Sequence, residues 1–353
     1  MTHDLRPKRL LLLSNMVRRR KGPSKTISIT DVARLAGVSI TTVSRVINKV
    51  PTVKAKHRAK VQDAVKQLNF RPSVFAQRLA TGKSNVVALV IPRYEGIFYS
   101  FYALELIRGV GTLCEALKLD LLLHLTDARS DLNLRSVGGI IFADVIGNRR
   151  QLEDALASNI PSVVINNYVK DLEVSCIAID NAGGAQAAVD YLLKLGHQRI
   201  AHISGDLVTQ AAIDRLEGYK RALKKAGITL DERYIFKTDY SRGQARQAAE
   251  KLLGMSEPAT AVFVASDAMA LEVMAVARET GKVIPRDLSI VGFDDNPSGL
   301  YGPVALTTVR QPLVKMAEES VKELSLLMSK KKTKIDKVFL PAELVIRESC
   351  RSL

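Results

Sequence analysis

The sequence has 353 residues and carries 52 Lys and Arg against 36 Asp and Glu, a net charge of +16. Residues 1–85 hold 19 of the bases but only 3 of the acids, which leaves 33 of each sign in the rest of the chain. Three well-separated cysteines argue against a disulfide framework and against a zinc site, and no apolar run is long enough to span a bilayer. These features argue against a membrane protein and predict a cytoplasmic protein whose basic N-terminal segment binds a polyanion.

Residues 28–48, SITDVARLAGVSITTVSRVIN, predict two short helices joined by a tight turn. Ser28 and Asp31 have the spacing of a capping box, and Gly37 supplies the positive φ that ends the first helix. Ser39 is expected to cap the second helix, which has one apolar and one polar face.

The polar face of the second helix suits the DNA major groove. Arg pairs there with guanine, Asn pairs with adenine, and methyl groups contact thymine. The alternative is an ordinary helical hairpin whose polar residues face water. The predicted DNA-binding residues of this face are Ile40, Thr41, Thr42, Ser44, Arg45 and Asn48.

The helix pair lies between segments of different character. Residues 1–26 lack periodicity and are predicted to form a disordered basic arm. Residues 27–71 form the head, because an apolar stripe predicts a third helix near residues 61–68. Residues 72–85 are predicted to be a hinge helix and linker, which is too short to be stable alone and folds against a partner or DNA. The alternative for this segment is a plain linker.

From residue 86 to residue 353, fully apolar strands alternate with helices. This pattern is typical of an α/β protein whose parallel sheets are covered on both faces. The number of units exceeds one core, so we expect two doubly wound subdomains with a ligand cleft at the carboxyl ends of the strands. We place the first subdomain at about 86–181 and 308–332, and the second at about 182–307 and 333–353.

No catalytic or cofactor motif accompanies these strands. Gly109 and Gly111 lack the third glycine of a dinucleotide fingerprint, and the sequence has no phosphate loop, nucleophile elbow or H-E-x-x-H motif. We therefore expect no enzyme, no cofactor and no metal site. Two alternatives stay open: a doubly wound α/β enzyme, and a cytoplasmic small-molecule sensor that does not act on an operator.

Polar residues that follow the predicted strands converge on the cleft. Carboxylates and an arginine bond adjacent hydroxyls, and an aromatic ring stacks on a sugar, so these residues suit a hydroxyl-rich ligand. Arg215 and Asp267 are the two that we expect to bind the ligand rather than to stabilise the loops. The other candidates, for which helix capping or loop solvation competes, are Phe98, Asp180, Thr209 and Tyr240.

Several longer motifs run through the chain from about residue 27 to residue 350. They are TDVARLAGVSITTVSRVIN, FRPSVFAQRLATGKS, IDNAGGAQAAVDYLLKLGHQRIAHISG, RLEGYKRAL, ASDAMAL, IPRDLSIVGFDD and LTTVRQP. Together they resemble the lactose-repressor/galactose-repressor family of bacterial transcription regulators. The resemblance implies a helix-turn-helix head and a hinge helix, joined to a body like a type I periplasmic sugar-binding protein. It also implies a repressor that binds a pseudo-palindromic operator as a homodimer, under the control of a small effector such as a sugar or sugar derivative.

The resemblance also assigns roles to individual residues. Ile40, Thr41 and Arg45 match the major-groove readers. Leu79 matches a hinge leucine that wedges into the minor groove, and Ala76 and Arg78 of the same hinge are expected to contact DNA. Effector positions of the family are matched by Arg215, Tyr240, Asp267, Phe98 and Thr209.

The chain departs from the family pattern at several places. Residues 1–25 extend beyond the usual start. Lys54 stands where a capping Ser or Thr is usual, which predicts a less firmly started third helix. The stretch at 126–138 is short for a parallel crossover, so its helix is expected to be truncated or lost. No leucine heptad tail follows the body, which predicts a dimer rather than a tail-bridged tetramer.

Overall fold

The computed structural model describes residues 27–48, 50–70, 84–93, 97–127, 129–133 and 137–353. The chain forms two compact units, residues 1–83 and residues 84–353. The predictions for the arm at 1–26 and for Ala76, Arg78 and Leu79 of the hinge lie outside the described residues. Within the described ranges, no helix has both the length and the apolar character needed to cross a membrane.

The first unit contains three helices, α1 (Ile29–Ala36), α2 (Ile40–Ile47) and α3 (Ala55–Gln67). Ser28 and Asp31 form the predicted capping box at the start of α1. Gly37 has φ 62° and ends α1 in the left-handed conformation, which glycine adopts without a steric penalty. Helix α1 therefore begins and ends at the residues that the sequence predicts.

The three helices of the head share one small apolar core. Val32 of α1, Val43 of α2 and Val61 of α3 are all wholly buried in it. Lys54, which precedes α3, makes no side-chain capping hydrogen bond, so the first turn of α3 lacks the side-chain acceptor that a Ser or Thr would supply.

The second unit contains twelve strands among the residues that the structure describes. In chain order they are β1 (Val86–Pro92), β2 (Asp120–Thr126), β3 (Gly139–Ala143), β4 (Ser162–Ile165), β5 (Ser175–Ile179), β6 (Ile200–Ile203), β7 (Ile235–Phe236), β8 (Ala261–Val264), β9 (Ser289–Asp294), β10 (Thr307–Arg310), β11 (Lys337–Leu340) and β12 (Glu343–Val345). Its helices are α4 (Phe101–Ala116), α5 (Arg149–Ala157), α6 (Asn181–Lys194), α7 (Gln210–Lys225), α8 (Arg242–Leu253), α9 (Asp267–Glu279) and α10 (Leu313–Met328).

These strands form two six-stranded sheets, one in each subdomain. The first has the order β11-β5-β4-β3-β1-β2 and the second has the order β12-β10-β9-β8-β6-β7. All pairs are parallel except that of β10 with β12. In the first sheet, α4 and α10 cover one face and α5 covers the other. In the second sheet, α6 and α7 cover one face, and α8 and α9 cover the other. Burial on both faces explains why the strand segments are continuously apolar.

Gly109 allows α4 to pack closely against α10. A Cβ atom at this position would lie 2.7 Å from the Cβ of Ala317 and 2.9 Å from the carbonyl oxygen of Val314. Gly109, which does not fit a dinucleotide fingerprint, therefore has a role in the close packing of α4 against α10.

The chain crosses between the two sheets later than we expected. Thr307–Arg310 is paired with β9 in the second sheet, so this crossing follows residue 310 rather than residue 307. Lys337–Leu340 is paired with β5 in the first sheet, so the last crossing follows residue 340 rather than residue 332. The expected boundaries near 308 and 333 are corrected accordingly. These strands are only four residues long, and pairing with a buried neighbour, rather than their own pattern, decides which sheet they join.

The short connection at 126–138 joins β2 at the edge of the first sheet to β3. None of its described residues is helical. Leu122 of β2 is 43% exposed, although it is paired with the buried Ala88 of β1. The sheet edge at β2 is thus less covered than its interior.

Candidate functional site

The outer face of α2 carries the predicted DNA-reading side chains. Ile40, Thr41, Arg45 and Asn48 are exposed, and Ile40 is 47% exposed despite its apolar side chain. An exposed isoleucine at the start of a polar helix face is available for contact with a thymine methyl group.

Two other residues of this face are half-buried and hydrogen-bonded locally. The Thr42 N–H donates to Ser39 Oγ at 3.1 Å, and the two hydroxyl oxygens lie 2.9 Å apart. Ser44 Oγ accepts from Asn48 Nδ2 at 3.4 Å. Thr42 therefore supports the start of the helix, while Ser44 orients Asn48.

Arg215 of α7 is buried at the carboxyl ends of the strands of the second sheet. Its Nε donates to Asn181 Oδ1 at 2.9 Å, and its Nη1 donates to the Ala265 carbonyl oxygen at 2.6 Å. The guanidinium carbon lies 3.8 Å from the ring centroid of Phe293, and Nη1 lies 3.9 Å from Asp294 Oδ1. These contacts hold a permanent positive charge in one position.

Asp267, the first residue of α9, is wholly buried. Its Oδ1 accepts from the Thr308 hydroxyl at 2.5 Å, and its Oδ2 accepts from the Asn296 N–H at 2.7 Å. Gly292 leaves room for the carboxylate, because a Cβ there would collide with Oδ1. Burial and the nearby Asp294 charge raise the pKa of Asp267.

Asp294, at the end of β9, lies between Arg215 and Gln311. Gln311 Nε2 donates to Asp294 Oδ1 at 2.5 Å. Burial raises the pKa of Asp294, while the Arg215 charge acts in the opposite direction. This carboxylate therefore belongs to the same cluster as Arg215.

Asp144 brings the first subdomain into this cluster. It follows β3 and accepts from Asn166 Nδ2 at 3.2 Å. Burial raises the pKa of Asp144 to about 6, and the charge of Arg215 partly opposes that rise. Asn148 Nδ2 donates to the Asp144 carbonyl oxygen at 3.5 Å. Acidic groups from both subdomains thus act on one arginine.

Tyr240 lies against Gly205, where the ring occupies the space that a Cβ would fill. The Thr209 side chain and the charges of Arg215, Asp294 and Asp144 influence the pKa of its hydroxyl. Burial raises the pKa of the Tyr240 hydroxyl. The structure therefore brings four of the six predicted effector residues together: Thr209, Arg215, Tyr240 and Asp267.

Two predicted effector residues are placed differently. Asp180 is exposed, and its carboxylate accepts from the Gly183 N–H at 2.8 Å as the cap of α6. Phe98 is 62% exposed on the short 3₁₀ turn Ile97–Tyr99, and within the described residues it has no recorded contact with the Arg215 cluster. Their effector role stays a prediction.

Four residues of the cluster escaped the sequence analysis: Asp144, Asn148, Asn166 and Gln311. They follow β3, β4 and β10 closely, so the rule that found Asp267 would also have found them. Within the described ranges, no group of three or more His, Cys, Asp or Glu side chains is arranged to hold a metal ion.

Comparison with known proteins identifies both units. Residues 28–73 match the family described as "Bacterial regulatory proteins, lacI family", and residues 189–350 match the "Periplasmic binding protein-like domain". Catabolite control protein A of Priestia megaterium is 34% identical over 336 residues, which cover 92% of this chain and 99% of that protein. The chain belongs to the LacI family of bacterial transcriptional regulators.

Solved structures of transcriptional regulators are similar to this chain over most of its length. The lac repressor dimer bound to operator and the anti-inducer ONPF aligns with a TM-score of 0.80 and 27% identity, over 93% of this chain and 100% of that chain. A complex of the transcriptional regulator CelR with cellobiose aligns with a TM-score of 0.70 and 28% identity, over 92% and 99%. These findings confirm the predicted helix-turn-helix head and the two-subdomain α/β body. This LacI-family chain is a DNA-binding transcriptional regulator that resembles repressors.

Proposed function

We propose that this protein is a cytoplasmic transcriptional repressor that binds a pseudo-palindromic operator as a homodimer and is controlled by a small, sugar-like effector. Its role is regulatory rather than catalytic. The lac repressor was solved as a dimer on its operator, and CelR was solved with cellobiose. The first similarity supports operator binding by a dimer, and the second supports control by a sugar-like effector.

The DNA-binding half rests on α2. Ile40, Thr41, Arg45 and Asn48 read base edges, and Thr42 and Ser44 hold the start of the helix and Asn48 in place. A dimer presents two copies of α2, so the operator repeats the recognised sequence with opposite orientation. Ala76, Arg78 and Leu79 of the hinge contact the centre of the operator in this proposal.

The effector-binding half rests on one observation above all. Asp144 directly follows β3 of the first subdomain, Arg215 Nη1 donates to the Ala265 carbonyl oxygen that follows β8 of the second, and the Arg215 charge opposes the rise in the pKa of Asp144. A ligand that bonds to both changes the relative stability of the open and closed arrangements of the two subdomains. Operator binding depends on that arrangement, which couples the two sites.

Selection of bound sequences from a random duplex pool tests this function, with purified protein at a fixed salt concentration. We expect a palindromic consensus, which then serves as the probe for sugars that change the affinity. Salt-sensitive binding without any consensus would contradict the operator half. A consensus whose binding responds to no sugar would contradict the effector half.

A further inference from the structure

Three buried amide oxygens of the cleft have no hydrogen-bond partner among the residues described: Asn148 Oδ1, Asn166 Oδ1 and Gln311 Oε1. None of the three residues is more than 6% exposed. Leaving a buried acceptor unpaired costs about 1–3 kcal/mol, so such atoms are uncommon in folded proteins. A ligand that donates hydrogen bonds to them would remove that cost.

The orientation of these amides is fixed by their nitrogen atoms. Asn166 Nδ2 donates to the Asp144 carboxylate, and Asn148 Nδ2 donates to the Asp144 carbonyl oxygen. Gln311 Nε2 donates to the Asp294 carboxylate. Rotating any of these amides would turn its oxygen toward another oxygen, so the unpaired atoms are acceptors. The cleft therefore requires donors from its ligand.

The same cluster carries more negative than positive groups. Asp144 and Asp294 lie under the influence of one guanidinium, that of Arg215, and the buried Asp267 lies close to Asp294. Arg310 and Arg347 add no unpaired positive charge, because their partners are Asp295 and Glu343. Excess negative charge in this poorly hydrated cluster is unfavourable until a proton or a bound cation balances it.

We propose that the effector is a hydroxylated molecule that carries a positively charged amine, and that sugar acids and sugar phosphates are excluded from this cleft. An ammonium group has three donors and no acceptor, which matches unpaired amide oxygens beside carboxylates. Asp144 and Asp294 are assigned to the amine, since both oxygens of Asp267 already accept hydrogen bonds from Thr308 and Asn296. The proposal rests on the proposed function, because it takes this cleft as the effector site.

Isothermal titration calorimetry with two matched series tests the charge preference. Each series contains a hexose, its 2-amino derivative, its uronate and its 6-phosphate, built on glucose in one case and galactose in the other. In at least one series we expect the amino sugar to bind about tenfold more tightly than the hexose, because charge-assisted hydrogen bonds are about twice as strong as neutral ones. The uronates and phosphates should not bind.

Substitutions in the cluster tie that preference to its residues. Asp144→Asn removes one carboxylate, and Asp294→Asn is the second variant should the first fail to fold. Either should reduce the ratio of amine to hexose affinity to near one. Asp154→Asn, on the exposed side of α5, is the matched control and should keep the ratio of the unmodified protein.

Several results would overturn the proposal. These are tighter binding of a uronate or phosphate than of its hexose, equal binding of amine and hexose in both series, or no binding by either amino sugar. If Asp154→Asn also lowers the ratio of amine to hexose affinity, the preference for an amine cannot be assigned to Asp144. Duplex selection without any sugar tests operator binding separately, so failure of the proposed function is distinguishable from failure of this inference.

Discussion

Asp267 Oδ2 accepts a hydrogen bond from the Asn296 N–H at 2.7 Å, which joins the start of α9 to the turn that follows Asp294 and β9. Asp294 has φ 132°, a conformation that non-glycine residues rarely adopt. The hydrogen bond helps to hold this backbone, with the Asp294 carboxylate near Arg215. Two buried acids and one arginine therefore form a single unit, in which a change at one residue alters the others.

Asp267→Ala should abolish the effector response while leaving operator affinity nearly unchanged. The substitution removes the acceptor for the Thr308 hydroxyl and the Asn296 N–H, so the turn after Asp294 loses its support. Fluorescence anisotropy of the selected operator, with and without the active sugar, measures both quantities. A variant that responds normally would mean that the effector response does not depend on Asp267. Asp171→Ala, at an exposed position, is the control.

Arg45→Ala should weaken operator binding by about 1–3 kcal/mol and relax the base preference at one position of each half-site, if the guanidinium pairs with a guanine. The measurement is affinity for a set of operators that differ at single positions. Arg34→Ala changes an arginine of α1 whose side chain is 75% exposed and paired with Asp31, and it should leave the base preference intact. An unchanged preference in Arg45→Ala would exclude Arg45 as a base reader.

The contribution of Asp144 to the free energy of unfolding should decrease as pH rises from about 4 to about 6. The pKa of Asp144 is about 6 in the folded protein, whereas an unfolded carboxyl titrates near 4, so the folded state binds more protons within this window. Asp267 and Asp294 act in the same direction, because their pKa values are also raised. Asp144→Asn should therefore lose less stability across the window than the unmodified protein. Urea unfolding at several pH values measures this difference, and parallel pH profiles would contradict it.

Lys54→Ser should stabilise α3 by about 0.5–1 kcal/mol, because a serine at the helix N-cap accepts a backbone N–H that Lys54 leaves without a side-chain partner. Ser28→Ala should have the opposite effect on α1, since it removes one half of the capping box. Hydrogen exchange of the head amides in the full chain reports both changes. Equal exchange in Lys54→Ser and the unmodified protein would mean that the start of α3 does not limit its stability.

Much of this architecture follows from local patterns in the sequence. The caps at Ser28, Gly37 and Ser39 depend on short-range hydrogen bonds and backbone geometry, so their residues predict them directly. The continuously apolar strands likewise predict buried parallel sheets. The sheet assignment of Lys337–Leu340 did not follow, because pairing with β5 is a contact between residues far apart in the chain. Arg215 and Asp267 were predicted for the cleft, and the amides beside Asp144 and Asp294 also follow strands, but their unpaired oxygens are evident only from the structure.

The crossings between the sheets place the ligand cleft next to the pivots of the body. Asn181 follows the first crossing and accepts from Arg215, and Gln311 lies in the second crossing and donates to Asp294. The first and third crossings are joined by the Asp180 N–H, which donates to the Leu340 carbonyl oxygen at 3.0 Å. Ser84 lies near the start of β1, at the end of the strand that is away from the cleft. The seven residues of β1 separate Ser84 from the cleft by about 20 Å. A turn of about 10° at these pivots would displace the chain that leads to the head by roughly 3–4 Å. A small rotation caused by a ligand in this cleft would therefore become a displacement of several ångströms at Ser84.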